Sequence, residues 1–166
     1  NTEKASELAA AISDTGRRAV AVQADVTDSA SVQALRDQVE DAVGPPDIIV
    51  NSAVIQYDWT RVLEQDVSDY ESQFRSCVLQ NVNMAQAFVP HMIESGWGRV
   101  IGINTECAMQ NAPGQSAYVS GKRGMDGVLR VLAREVGEHG ITVNQVAPGW
   151  TISEDKPDSD RSKGYR

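Results

Sequence analysis

Short β-branched runs alternate along this chain with longer stretches whose apolar residues recur every three or four positions. The runs are residues 19–23, 47–50, 99–104 and 141–147. They read as buried strands because Val and Ile suit a pleated sheet and turn signals bound them. Residues 2–13 carry Ala5, Leu8, Ala9 and Ile12 in helical spacing, and Gly16 is placed to stop that helix. Residues 29–43 repeat the pattern with Val32, Leu35, Val39 and Val43, until Gly44-Pro45-Pro46 breaks it. Ser68 is placed to cap a long helix reaching about Glu94, and Met125, Val128, Leu129, Leu132, Ala133 and Val136 mark another. Strand and helix in alternation imply a parallel sheet with right-handed crossovers, an α/β doubly wound, Rossmann-like fold. The 166 residues, 41% of them hydrophobic, suit one core.

In open parallel sheets ligands gather at the carboxyl ends of the strands, so the residues just past each run carry the chemistry. Thr105 follows the run 99–104. Thirteen positions on lies Tyr118, and Lys122 stands four further, one turn away on the same helix face. An ammonium there favours the phenolate and lowers a phenol pKa that starts near ~10, which suits proton exchange with a substrate oxygen. The plain alternative is a Tyr and a Lys sharing an amphipathic helix, a common arrangement. Asp25 closes the first run and reads either as a ligand contact or as a helix-capping Asp. Residues 55–65 read as a surface loop.

The Tyr118/Lys122 pair keeps specific company. Asp25-Val26-Thr27-Asp28 and Asn51-Ser52-Ala53 lie upstream, Pro113 to Ala117 leads into the tyrosine, and Val143 to Gly149 follows the helix. In order and spacing these resemble the short-chain dehydrogenase/reductase family, and the resemblance extends to about Ser153. It implies an oxidoreductase that moves a hydride between NAD or NADP and a carbonyl or secondary alcohol. By resemblance Tyr118 is the general acid/base, Lys122 lowers its pKa and touches the nicotinamide ribose, and Thr105, where the family usually has Ser, binds the substrate oxygen. Asp25 and Val26 would border the adenine. Asn51, Ser52 and Ala53 would lie on the adenosine side, with Pro148, Gly149, Thr151 and Ser153 near the nicotinamide. The alternatives are a relative that has lost catalysis and acts as a binding or regulatory subunit, and an unrelated nucleotide-binding domain.

Besides Thr105, Ser52 and Ser153, two positions depart from the family pattern. Val54 stands where the family has Gly. Counted without gaps, the family's helix Asn, which holds a water linking the lysine to solvent, falls on Cys77; Asn81 lies one turn on. A thiol is a weak donor and acceptor, so the relay is weakened there. No glycine loop for a pyrophosphate precedes the first helix, and Gly121, Gly124 and Gly127 sit inside a helix, where close packing explains them. The expectation is therefore a fragment, lacking roughly forty residues upstream and roughly fifty downstream of such a fold. Its strand at 19–23 would lack its neighbour. Residues 1–153 form a partial dinucleotide-binding and catalytic domain, and 154–166 a mobile polar loop that, in the family, covers the substrate.

The formal charge of −8 and a pI near 4.7 argue against nucleic acid or an anionic membrane as partner. No apolar run approaches the roughly 18 residues that span a bilayer. Two cysteines, Cys77 and Cys107, lack metal or redox spacing and read as reduced thiols of a cytoplasmic protein. Two isolated histidines make no metal site. In the family the helices corresponding to 70–92 and 118–136 pair between subunits, so the resemblance implies a homodimer or homotetramer; the wide apolar stripe over 70–92 fits that, and core burial alone is the alternative.

Overall fold

The computed structural model describes residues 2–55, 57–149 and 151. Thr2–Ser13 (α1) and Ser29–Val43 (α2) are followed by the strand Ile48–Asn51 (β1). Val67–Gln73 (α3) runs through a π-helical turn, Phe74–Leu79, into Gln80–Ser95 (α4). Then come Gly98–Ile103 (β2), Cys107–Gln110 (α5), Ser116–Val136 (α6), a 3₁₀ turn at Gly137–His139 and Ile141–Val146 (β3). The strands are parallel in the order β1-β2-β3, with Ile49 opposite Val100 and Val100 opposite Val143. This is a Rossmann-like α/β fold, incomplete among the described residues.

One face of the sheet builds the core. Ile49 and Val100 pack with Met92 of α4 and with Met125 and Leu129 of α6, and Val32 of α2 closes the cluster. Each such side chain contributes about 1.5–3 kcal/mol by leaving water. The opposite face is open among the described residues: Ile48 and Val50 are 53% and 56% exposed. No residue of α1 is buried, so its apolar stripe is unpacked in the described chain.

Two elements differ from the sequence reading. Residues 19–23 form no strand and are not buried. A strand exists only through ladder bonds to a neighbour, and no described strand lies beside this run. The helix expected from Ser68 is capped instead by Asp66, whose carboxylate accepts from the Ser68 amide (2.8 Å), and it is not a continuous α-helix. Asp28, not Asp25, caps α2 by accepting from the Ser31 amide (3.0 Å). Among the described residues no helix is long and apolar enough to cross a membrane.

Candidate active site

The strand ends assemble the site. Beyond β2 the ladder continues: the Asn104 amide donates to the Val146 carbonyl (2.8 Å) and the Glu106 amide to the Pro148 carbonyl (3.1 Å). Thr105 is held between these two anchors. Its own amide donates to Asn104 Oδ1 (2.8 Å), and Asn104 Nδ2 reaches Gln145 Oε1 (2.6 Å) and the Lys122 carbonyl (3.4 Å). One asparagine thus ties β2, β3 and α6 together at the point where Thr105 emerges. The sequence reading missed Asn104 and Gln145, since their pairing crosses 41 positions.

Helix α6 is brought against α3 and the π turn by small residues. A side chain at Gly121 would sit 3.0 Å from the Gln73 carbonyl, and one at Gly124 would sit 2.7 Å from Val78. Gly127 faces open space, so close packing explains the first two glycines and not the third. Tyr70 and Ser116 share a 2.6 Å hydroxyl hydrogen bond that fixes the start of α6.

Tyr118, Thr105 and Lys122 come together as the spacing requires. The Thr105 hydroxyl, which accepts from the Cys107 amide (3.2 Å), and the Tyr118 phenol line one cavity of about 300 Å³ with Cys107, Gln115 and Gly149. Lys122 Nζ lies 5.9 Å from the Tyr118 ring centroid and donates to the Ile103 carbonyl at 2.6 Å. The electrostatics depart from expectation. Burial raises the Tyr118 pKa above its ordinary value; the nearby Thr105 hydroxyl lowers it, while Cys107 and Cys77 raise it. Burial also lowers the Lys122 pKa. Desolvation of the phenol is the largest cause, and the buried ammonium is engaged by a backbone carbonyl instead.

Cys77 is 1% exposed and its thiol donates to Gln73 Oε1 (3.3 Å). Burial raises the thiol pKa, and the Lys122 charge opposes that. Asn81 is committed elsewhere: its Nδ2 donates to the Cys77 carbonyl (2.7 Å) and its Oδ1 accepts from Asn51 Nδ2 (2.8 Å). The π turn around Cys77 is a device frequent at functional sites.

Of the residues expected around a dinucleotide, Asn51 to Ala53 and Pro148 to Gly149 lie at the carboxyl ends of β1 and β3, while Asp25 and Val26 follow no described strand. Asn51 ends β1, buried, and its Oδ1 has no hydrogen-bond partner among the described residues. Ser52 and Ala53 follow and are exposed, and Val54 turns inward against the core at an ordinary backbone angle. Pro148 and Gly149 follow β3, and Thr151 Oγ1 donates to the Gly149 carbonyl (3.4 Å). Asp25 accepts from the amide and hydroxyl of Thr27 (2.9 and 2.7 Å), which lowers its pKa. The Val26 carbonyl accepts from Asn83 of α4 (3.1 Å). Ser153 and residues 154–166 lie outside the described residues. An orphaned acceptor on Asn51 beside an exposed strand-end loop fits a ligand that brings donors. Among the described residues no cluster of His, Cys, Asp and Glu could hold a metal.

With this geometry in place, the sequence profile of the short chain dehydrogenase family matches residues 1–162. The chain belongs to that family. Among its relatives, the chain is 34% identical over 128 residues to nodulation protein G of Azospirillum brasilense, covering 77% of the chain and 52% of that protein. It is 30% identical to the D-beta-hydroxybutyrate dehydrogenase of Rhizobium meliloti, covering 85% and 56%. It is 34% identical to a 3-oxoacyl-(acyl-carrier-protein) reductase of Staphylococcus aureus, covering 92% and 61%. The chain therefore spans between about half and three fifths of the length of these relatives.

Proposed function

We propose that this chain carries the catalytic residues of an NAD- or NADP-dependent oxidoreductase acting on a carbonyl or secondary alcohol. The observation that carries the reading is the Thr105–Tyr118 hydroxyl pair on one cavity wall, with the Lys122 ammonium beside the ring. When bound, the nicotinamide supplies or accepts the hydride. Tyr118 gives its phenolic proton to the carbonyl oxygen in reduction and takes it back in oxidation. Thr105 donates to the phenol or to the substrate oxygen, and its methyl narrows the pocket. Burial keeps Tyr118 protonated at neutral pH, which suits the acid role in reduction. Lys122, Asn51, Pro148, Gly149 and Thr151 are the residues that would hold the cofactor. The relatives named as a dehydrogenase and a reductase support this reading.

The test is nicotinamide absorbance in the full-length protein with a panel of ketones and secondary alcohols. Turnover with either dinucleotide is expected, and no turnover with any of them contradicts the proposal. One observation favours a second reading, a binding subunit that has lost turnover: the buried Cys77 thiol beside Lys122 bonds to Gln73. That subunit would bind the dinucleotide and leave its absorbance unchanged.

A further inference from the structure

The cavity at Tyr118 has a chemically one-sided wall. Tyr57, Asp58 and Trp59, from the loop after β1, line it together with Thr105, Gln115 and Tyr118. Among the described lining residues there is no Lys, Arg or His, and Asp58 is the one carboxylate. Lys122, the nearby cation, is buried and donates to the Ile103 carbonyl. Gln115 Nε2 is directed to Cys107 Sγ (3.7 Å), while its Oε1, an acceptor, has no partner among the described residues. An acceptor and a carboxylate offer nothing to an anion. The wall is also pinned. The Thr60 amide donates to the Gly114 carbonyl (3.1 Å), and Gly114, at φ 84°, packs so closely that an added Cβ would lie 3.1 Å from Trp59. That contact ties the 57–60 loop to the segment leading into α6, so Asp58 keeps its place beside the site.

We propose that this site takes carbonyl and alcohol substrates with an uncharged, ring-bearing body, and that Asp58 is the specificity-determining residue that rejects carboxylates. The inference rests on the oxidoreductase reading for the reacting group. Tyr57 and Trp59 supply large, stiff aromatic surface for a ring. Asp58 repels a second negative charge, and a specific site is built as much from such repulsion as from attraction. Asp58 is exposed, so water screens this repulsion and the discrimination is about tenfold at most. It weakens as salt rises.

The experiment is calorimetric binding of 4-acetylbenzamide and 4-acetylbenzoate to the full-length protein with its dinucleotide, since the two differ mainly in charge. The amide binds up to about tenfold tighter at low salt, the gap narrows with added salt, Asp58→Asn shrinks it and Asp58→Lys reverses it. Equal binding, tighter benzoate, binding of neither, or a gap unchanged in Asp58→Asn overturns the inference. Turnover of the same pair is measured separately. A persistent binding gap without hydride transfer upholds the selectivity and counts against the oxidoreductase reading alone.

Discussion

Thr105 and Tyr118 face the same cavity, although they stand thirteen positions apart in the chain. Asn104 and the extended β2–β3 ladder hold the first, and the glycine-packed helix α6 holds the second. Burial lifts the phenol pKa and Thr105 pulls it back. Removing that hydroxyl with Thr105→Val is expected to move the alkaline limb of the pH–rate profile upward and to lower kcat/KM by about 10²-fold, the usual scale for one positioned donor. Thr105→Ser should keep both near the native values. An unshifted profile in the Val variant would remove Thr105 from the proton chemistry.

Lys122 is buried with its pKa depressed by desolvation. The unfolded chain therefore binds a proton more readily than the folded one, and stability rises with pH from the depressed folded pKa up to the ordinary lysine value. At neutral pH the buried ammonium opposes folding. Lys122→Met is expected to raise the melting temperature of the full-length protein by about 2–4 °C for each kcal/mol recovered, while activity collapses. Thermal melts and turnover of the same sample check this. A large drop in melting temperature would show that the bond to Ile103 outweighs desolvation.

Much of this was legible in the chain and some was not, for reasons that lie in particular residues. The runs 47–50, 99–104 and 141–147 are β-branched and sharply bounded, and they fold as three parallel strands. The run 19–23, Ala-Val-Ala-Val-Gln, is also short and apolar but has no described neighbour, and a ladder cannot be read from one strand alone. The π turn at Phe74–Leu79 hides in a nearly helical period. The proximity of Tyr118 and Lys122 follows from their spacing on one helix face. The Asn104–Gln145 link and the Tyr57–Trp59 wall are contacts between distant segments that no local pattern reports. The direction of the Tyr118 shift was misjudged because spacing shows a neighbouring charge and says nothing of burial.

The structure separates the roles of Cys77 and Asn81. Asn81 bridges Asn51 and the Cys77 carbonyl, so it acts as a brace. Asn81→Ala should cost about 1–3 kcal/mol in denaturant unfolding, because buried partners lose their bonds. Cys77→Asn places an amide beside Gln73 and Lys122. It is expected to raise turnover and shrink the solvent isotope effect by restoring a proton path. Unchanged turnover in Cys77→Asn, with a larger isotope effect in Asn81→Ala, would reverse the two roles.

Phe88, Val89 and Met92 are buried in the chain's own core, with Phe88 only 3% exposed, so the outward apolar positions are others. Phe74 is 51% exposed on the π turn and, with Tyr70, Leu79 and Gly121, lines a groove between that turn and α6. We propose this face as the contact of a homodimer or homotetramer, with each subunit contributing the α3–α4 and α6 helices. Phe74→Arg is expected to lower the mass seen by light scattering to that of the monomer. A native protein that is monomeric at micromolar concentration would contradict it.

The central claim is that the proton moves through the phenol of Tyr118. Tyr118→Phe keeps the ring and its packing and removes only the hydroxyl. In the full-length protein, turnover of the best ketone or alcohol should fall by at least about 10²–10⁴-fold, the contribution of a positioned acid or base. Dinucleotide affinity, measured by calorimetry on the same sample, should stay within a few-fold of native. Turnover retained in Tyr118→Phe, with affinity unchanged, would contradict the account and place the proton transfer on another group.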